Sequence, residues 1–90
     1  MTMTKKWTVD IYLDEHPDTR RTHAEARLHA GDRADISGIG TSSRNPRDVD
    51  VPEIGDELAA ARALANLAEK LRLAAAGDIE SYASQASHGW

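Results

Sequence analysis

The sequence predicts an α+β fold: a three-stranded antiparallel meander (β-β-β) packed by one long α-helix, with a short C-terminal helix after it. Three observations predict it. Residues 5–15 and 20–30 alternate apolar and polar side chains with period two. Turn-forming residues separate them and recur at 31–33. From Val51 onward the apolar residues fall at helical spacing instead.

In "KKWTVDIYLDE" (5–15), Trp7, Val9, Ile11 and Leu13 share one face, and Lys6, Thr8, Asp10, Tyr12 and Asp14 the other. β-Branched and aromatic residues in this pattern predict a half-buried strand. "HPDT" (16–19) predicts a turn. "RRTHAEARLHA" (20–30) predicts the return strand, with Thr22, Ala24, Ala26 and Leu28 inside and Arg21, His23, Glu25, Arg27 and His29 outside. "GDR" (31–33) predicts a second turn and "ADISGIGTSS" (34–43) a third strand. There Ile36 and Ile39 break the alternation, and a bulge at Gly38 or Gly40 would return both to one face. "RNPRDVD" (44–50) predicts a polar loop.

The helix is expected to open on a capping box, with Asp50 as N-cap and Glu53 three residues on. Pro52 suits the first turn, and Glu53, Asp56 and Glu57 suit its positive end. Ile54, Leu58, Ala61, Leu64, Ala65, Ala68 and Leu71 form the predicted apolar stripe. Gly77 is the expected C-terminal cap. "DIESYA" (78–83) is expected to begin the short helix, with 83–90 as a polar tail. The whole is one domain, residues 1–90, with its core between about 5 and 82.

Ninety residues support a small core, so a homodimer is expected, through strand edges or through Trp7 or Trp90. There is no cysteine, no signal-peptide pattern at "MTMTKKW" and no apolar run long enough to span a membrane, so a cytoplasmic protein is expected. His23 and His29 share a face but stand roughly 20 Å apart at strand rise. No HxxxH or HExxH spacing occurs, and Ser42 and Ser43 lack a nucleophile-elbow context. "GIG" (38–40) lacks the lysine of a phosphate loop. No metal, cofactor, small-molecule substrate or enzymatic reaction is therefore expected.

The net charge of −4 argues against general nucleic-acid binding, but its distribution is uneven. Residues 1–47 hold eight Lys/Arg against seven Asp/Glu, and residues 48–90 hold three against eight. Arg21, Arg27, Arg33, Arg44 and Arg47, with Tyr12 on the same sheet face, are candidate RNA or ribosome contacts. Cross-strand pairing with Asp10, Asp14 and Glu25 is the competing use of these cations. Glu53, Asp56 and Glu57 begin a helix first of all, and otherwise would form an acidic protein-interaction surface.

The segments "WTVDIYLDEH" (7–16), "AEARL" (24–28), "GIGTSSRNP" (38–46), "VPEIGDELAAARALANLAEKL" (51–71) and "DIE" (78–80) resemble a small actinobacterial family of unknown function. Its members include dormancy-induced, hypoxia-associated proteins of mycobacteria. The resemblance implies a double-stranded-RNA-binding-domain-like (dsRBD-like) fold, dimer formation and a shape comparable to ribosome hibernation-promoting factors. It implies a non-catalytic role in stress or dormancy, by binding the ribosome and lowering translation. Duplex-RNA-binding domains carry lysines at a helix N-terminus, where this chain has Glu53, Asp56 and Glu57. RNA contact is thus expected through the sheet face and the loop arginines.

Overall fold

The computed structural model describes residues 1–31, 36–44 and 51–88, the side chains of 85–88 excepted. Strands β1 (Thr8–His16), β2 (Arg21–His29) and β3 (Ser37–Ser43) form one antiparallel sheet in the order β1-β2-β3. The helix α1 (Pro52–His88) follows. The β1–β2 turn is closed by Thr19 N donating to His16 O at 3.2 Å and Arg20 N to Pro17 O at 3.3 Å. Arg20 takes the left-handed φ of 55° there, a conformation that costs a non-glycine residue roughly 1 kcal/mol.

β2 is buried as its alternation predicts: Thr22, Ala24, Ala26 and Leu28 all lie under the helix. β3 differs from the expected bulge. Its register with β2 is regular, so Gly38 and Gly40 point inward and Ile39 outward, half exposed. The two glycines are there for the helix. A Cβ on Gly40 would strike the backbone of Ala59 and Ala63, and one on Gly38 that of Ala63 and Leu67. Without side chains at these positions the helix lies directly on β3.

That close approach decides which helix face is buried. Gly55, Ala59, Ala63 and Leu67 form the inner row, with Leu71 partly covered. The stripe expected from hydrophobicity is instead largely outside: Ile54 is 50% exposed, Leu58 46% and Leu64 40%. Small residues permit the short helix–sheet distance, and the larger side chains would prevent it. The resulting core is thin. Among the described residues, four of the seven buried apolar ones are the fully covered Ala24, Ala26, Ala59 and Ala63, and Leu28 and Leu67 are the largest. Ser42 Oγ donates to Gly55 O at 2.7 Å and ties the first turn of α1 to β3.

The helix covers β2 and β3 but not β1, so the half-buried first strand is not found. Every residue of β1 is exposed, Val9, Ile11 and Leu13 included. The short C-terminal helix is not separate either. α1 runs unbroken through Gly77 to His88 and takes in much of the expected tail. A glycine costs a helix about 1 kcal/mol relative to alanine but does not stop it, and Gly77 sits amid "LAAA" and "DIE". The 37 residues of α1 span about 55 Å, against about 30 Å for a nine-residue strand. Its C-terminal part therefore overhangs the sheet. At the other end Val51 O accepts from Ile54 N at 3.1 Å and takes the N-cap place ahead of Pro52. The expected cap, Asp50, lies outside the described residues.

Candidate functional site

The register brings the outward-facing residues into rows: His16 beside Arg21 and Ser43, Asp14 beside His23 and Thr41, Tyr12 beside Glu25 and Ile39, Asp10 beside Arg27. Cations and carboxylates thus alternate across the face, and they pair. Arg27 Nε donates to Glu25 Oε1 at 2.9 Å, and its guanidinium lies 5.3 Å from the centre of the Tyr12 ring. His29 Nε2 stands 2.7 Å from Asp10 Oδ2. Arg27 and Tyr12 therefore occupy each other, and a base stacking on Tyr12 would first have to displace the arginine. At these exposures such pairs contribute at most about 1 kcal/mol, so their main effect is to cancel charge.

Three further arginines are placed near the turn end of the sheet. Arg21 is the last paired residue of β2 on that side, and Arg44 N donates to Arg20 O at 3.0 Å. Arg20 and Arg44 thus lie opposite each other in the backbone beside the β1–β2 turn, with Arg21 next in the chain on the outward row, opposite His16 and Ser43. Arg20 enters this group through the hairpin turn. Arg33 and Arg47, named from the sequence, lie outside the described residues.

The acidic set is divided. Glu53 and Glu57 are exposed, while Asp56 is half-buried, with its Oδ1 accepting no hydrogen bond. Glu15, at the end of β1, hydrogen-bonds to Asp56 and is held above its ordinary carboxyl pKa of 4.5. That bond is the main cause; the Asp56 charge, desolvation and Glu53 add to it, and Arg44 opposes them. A carboxyl with a raised folded pKa holds its proton more tightly in the folded state. Its support for the fold is present at low pH and is lost as pH rises from 4.5 through the folded value. Glu15→Gln is therefore expected to raise the thermal midpoint at neutral pH and flatten its dependence on pH above 4.5, as followed by circular dichroism. A variant with the parent's pH slope would show that this pair is not its source.

Among the described residues, no group of three or more His, Asp or Glu could hold a metal ion. No described helix is long and apolar enough to cross a membrane.

The free edge of β3 carries a feature that residue types alone do not announce. Arg62 Nη1 donates to Thr41 O at 2.7 Å, Asn66 Oδ1 accepts from Ile39 N at 2.9 Å, and Lys70 Nζ donates to Ser37 O at 2.8 Å. Steps of four along α1 match steps of two along β3, so three helix side chains close the strand's outer edge. The i, i+4, i+8 spacing of polar residues beside the alanine row was the available signal.

A family model described as Rv2632c-like matches residues 5–88. The uncharacterized protein Mb1767 of Mycobacterium bovis is 44% identical over 79 residues, which are 88% of this chain and 81% of that protein. The uncharacterized protein Rv2632c of Mycobacterium tuberculosis is 41% identical over 81 residues, 90% of this chain and 84% of that protein. The crystal structure of Rv2632c matches with a TM-score of 0.78 at 40% identity, over 90% of this chain and 93% of that one. The three-strand-and-helix architecture is thus shared with a solved relative.

Proposed function

The chain belongs to the Rv2632c-like family, and from that premise we propose that it acts by binding, not catalysis. In this reading it is a homodimeric stress or dormancy protein, built on a dsRBD-like plan, that engages the ribosome or its RNA and lowers translation in the cytoplasm. The supporting observation is that the backbone sets Arg20, Arg21 and Arg44 at neighbouring positions beside the β1–β2 turn. Guanidinium groups suit phosphate, and a cluster at one end can act although the net charge is −4. Arg27 and Tyr12 are engaged with Glu25 and with each other, so RNA binding there would have to displace those contacts.

The test is sedimentation of tagged protein from growing and starved cells, at low and high salt, with and without ribonuclease. Salt-sensitive migration with ribosomal particles is expected. Reversing Arg21 and Arg44 to Glu is expected to abolish it and, with purified particles, to lower the log–log salt slope by about 2. Residence at the top of the gradient in every condition would overturn the ribosome reading. A second reading, a protein-interaction module, is favoured by the exposure of Glu53 and Glu57 at the helix start. It predicts co-sedimentation that resists ribonuclease and is lost when both are made glutamine.

A further inference from the structure

The two edges of the sheet are not equivalent. On β3, Ser37 O, Ile39 N and Thr41 O point away from β2 into the side chains of Lys70, Asn66 and Arg62. Gly38, Gly40 and Ser42 therefore bond to Ala26, Ala24 and Thr22, which leaves the odd-numbered residues of β2 to bond the even-numbered residues of β1. The N–H and C=O groups of Val9, Ile11 and Leu13 are thus directed at the open edge. Their side chains share the helix side of the sheet with Leu28, Ala26 and Ala24, yet are 38%, 39% and 43% exposed because α1 does not reach them. A backbone edge and an apolar strip at the same three residues form a surface ready for another strand.

We propose that this surface is occupied by β1 of a second copy, antiparallel and centred on Ile11, giving a continuous six-stranded sheet with both helices on one side. The interface rests on the homodimer reading given above and specifies where that dimer is joined. Charge, apolar matching and the length of β1 together select the register. Centred on Ile11, Val9 faces the partner's Leu13, Asp10 the partner's Tyr12 and Thr8 the partner's Asp14. No like charges meet, and the apolar strip is continuous across the axis. Centring on Tyr12 would set Asp10 against the partner's Asp14 and Val9 against the partner's Glu15. Centring on Asp10 would oppose Asp10 to itself. A one-residue slip would turn the apolar strip of one copy to the opposite face from the other's. The blocked β3 edge ends the assembly at two copies.

The chain has no cysteine, so single cysteines report the register directly. Light scattering of the parent is expected to give twice the 9.8 kDa chain mass. Ile11→Cys is expected to form a disulfide-linked dimer on mild oxidation, since directly opposed residues in this type of pair lie about 5.5 Å apart. Leu13→Cys alone is expected not to, because the two copies of residue 13 would be about 13 Å apart. Leu13→Cys mixed with Val9→Cys is expected to cross-link. Ile11→Lys, checked for an unchanged circular-dichroism spectrum, is expected to halve the mass. A parent that stays monomeric would overturn both the interface and the dimer reading. A dimer that cross-links through Leu13→Cys alone, or survives Ile11→Lys, would overturn the interface and leave the dimer standing.

Discussion

Gly40→Ala is expected to cost about 3 kcal/mol or more and to leave little cooperative unfolding to measure. Overpacking a core by a methyl group typically costs about 1–3 kcal/mol when side chains can adjust. Here they cannot. The added Cβ would meet the backbone atoms Ala63 N, Ala59 O and Arg62 C, and moving those means lifting the helix. Lifting it would pull Ala59 and Ala63 off Ala24 and Ala26, which are most of the core. Gly38→Ala is expected to behave alike, since its Cβ would come within 2.8 Å of Leu67 Cα. Gly77→Ala is the control. Nothing lies within 4 Å of the Cβ it would carry, and in a helix the change is expected to stabilise by about 1 kcal/mol. Urea titrations followed by circular dichroism measure all three. A Gly40→Ala midpoint equal to the parent's would mean that helix and sheet do not touch as described.

The same glycines explain what could be read in the sequence and what could not. The alternation of Thr22, Ala24, Ala26 and Leu28 identified the buried face of β2 correctly, because a central strand has its inner face covered wherever the helix lies. β1 has the stronger alternation and yet is exposed throughout. Its burial depends on the lateral position of α1, which no residue of β1 encodes. The helix itself was legible, but its inner face was not. Counting large apolar residues selects Ile54, Leu58 and Leu64, whereas contact with Gly38 and Gly40 selects Ala59, Ala63 and Leu67. Gly77 looked like a stop because its conformational freedom is visible in sequence, while the helical context on both sides outweighs it. At the candidate site, residue types named the cations, and only the side-chain contacts and register showed that Arg27 is engaged with Glu25 and Tyr12 and that Arg20, Arg21 and Arg44 hold neighbouring backbone positions.

Replacing Arg62, Asn66 and Lys70 together by alanine is expected to turn a small closed assembly into a growing one. Each removes one partner from the outer edge of β3, at Thr41 O, Ile39 N and Ser37 O respectively. The lost bonds are exposed, and each contributes about 1 kcal/mol, so the variant loses roughly 3 kcal/mol but has no packed atom removed from its core. The larger consequence is topological. With β3 uncovered, every chain has two open edges, and a β1 edge can pair with the β3 edge of another chain as well as with another β1. Contacts of that kind do not close, so chains add without limit. Light scattering is expected to show mass increasing with time and concentration, with a rise in β-sheet signal. Arg72→Ala is the control: Arg72 Nη2 pairs with Glu69 Oε1 at 2.6 Å, away from the strand edge, and its loss is expected to leave the mass unchanged. A triple variant that keeps the parent's mass would show that the helix side chains support β3 without guarding it. The limit on assembly would then have to come from the β1 interface itself.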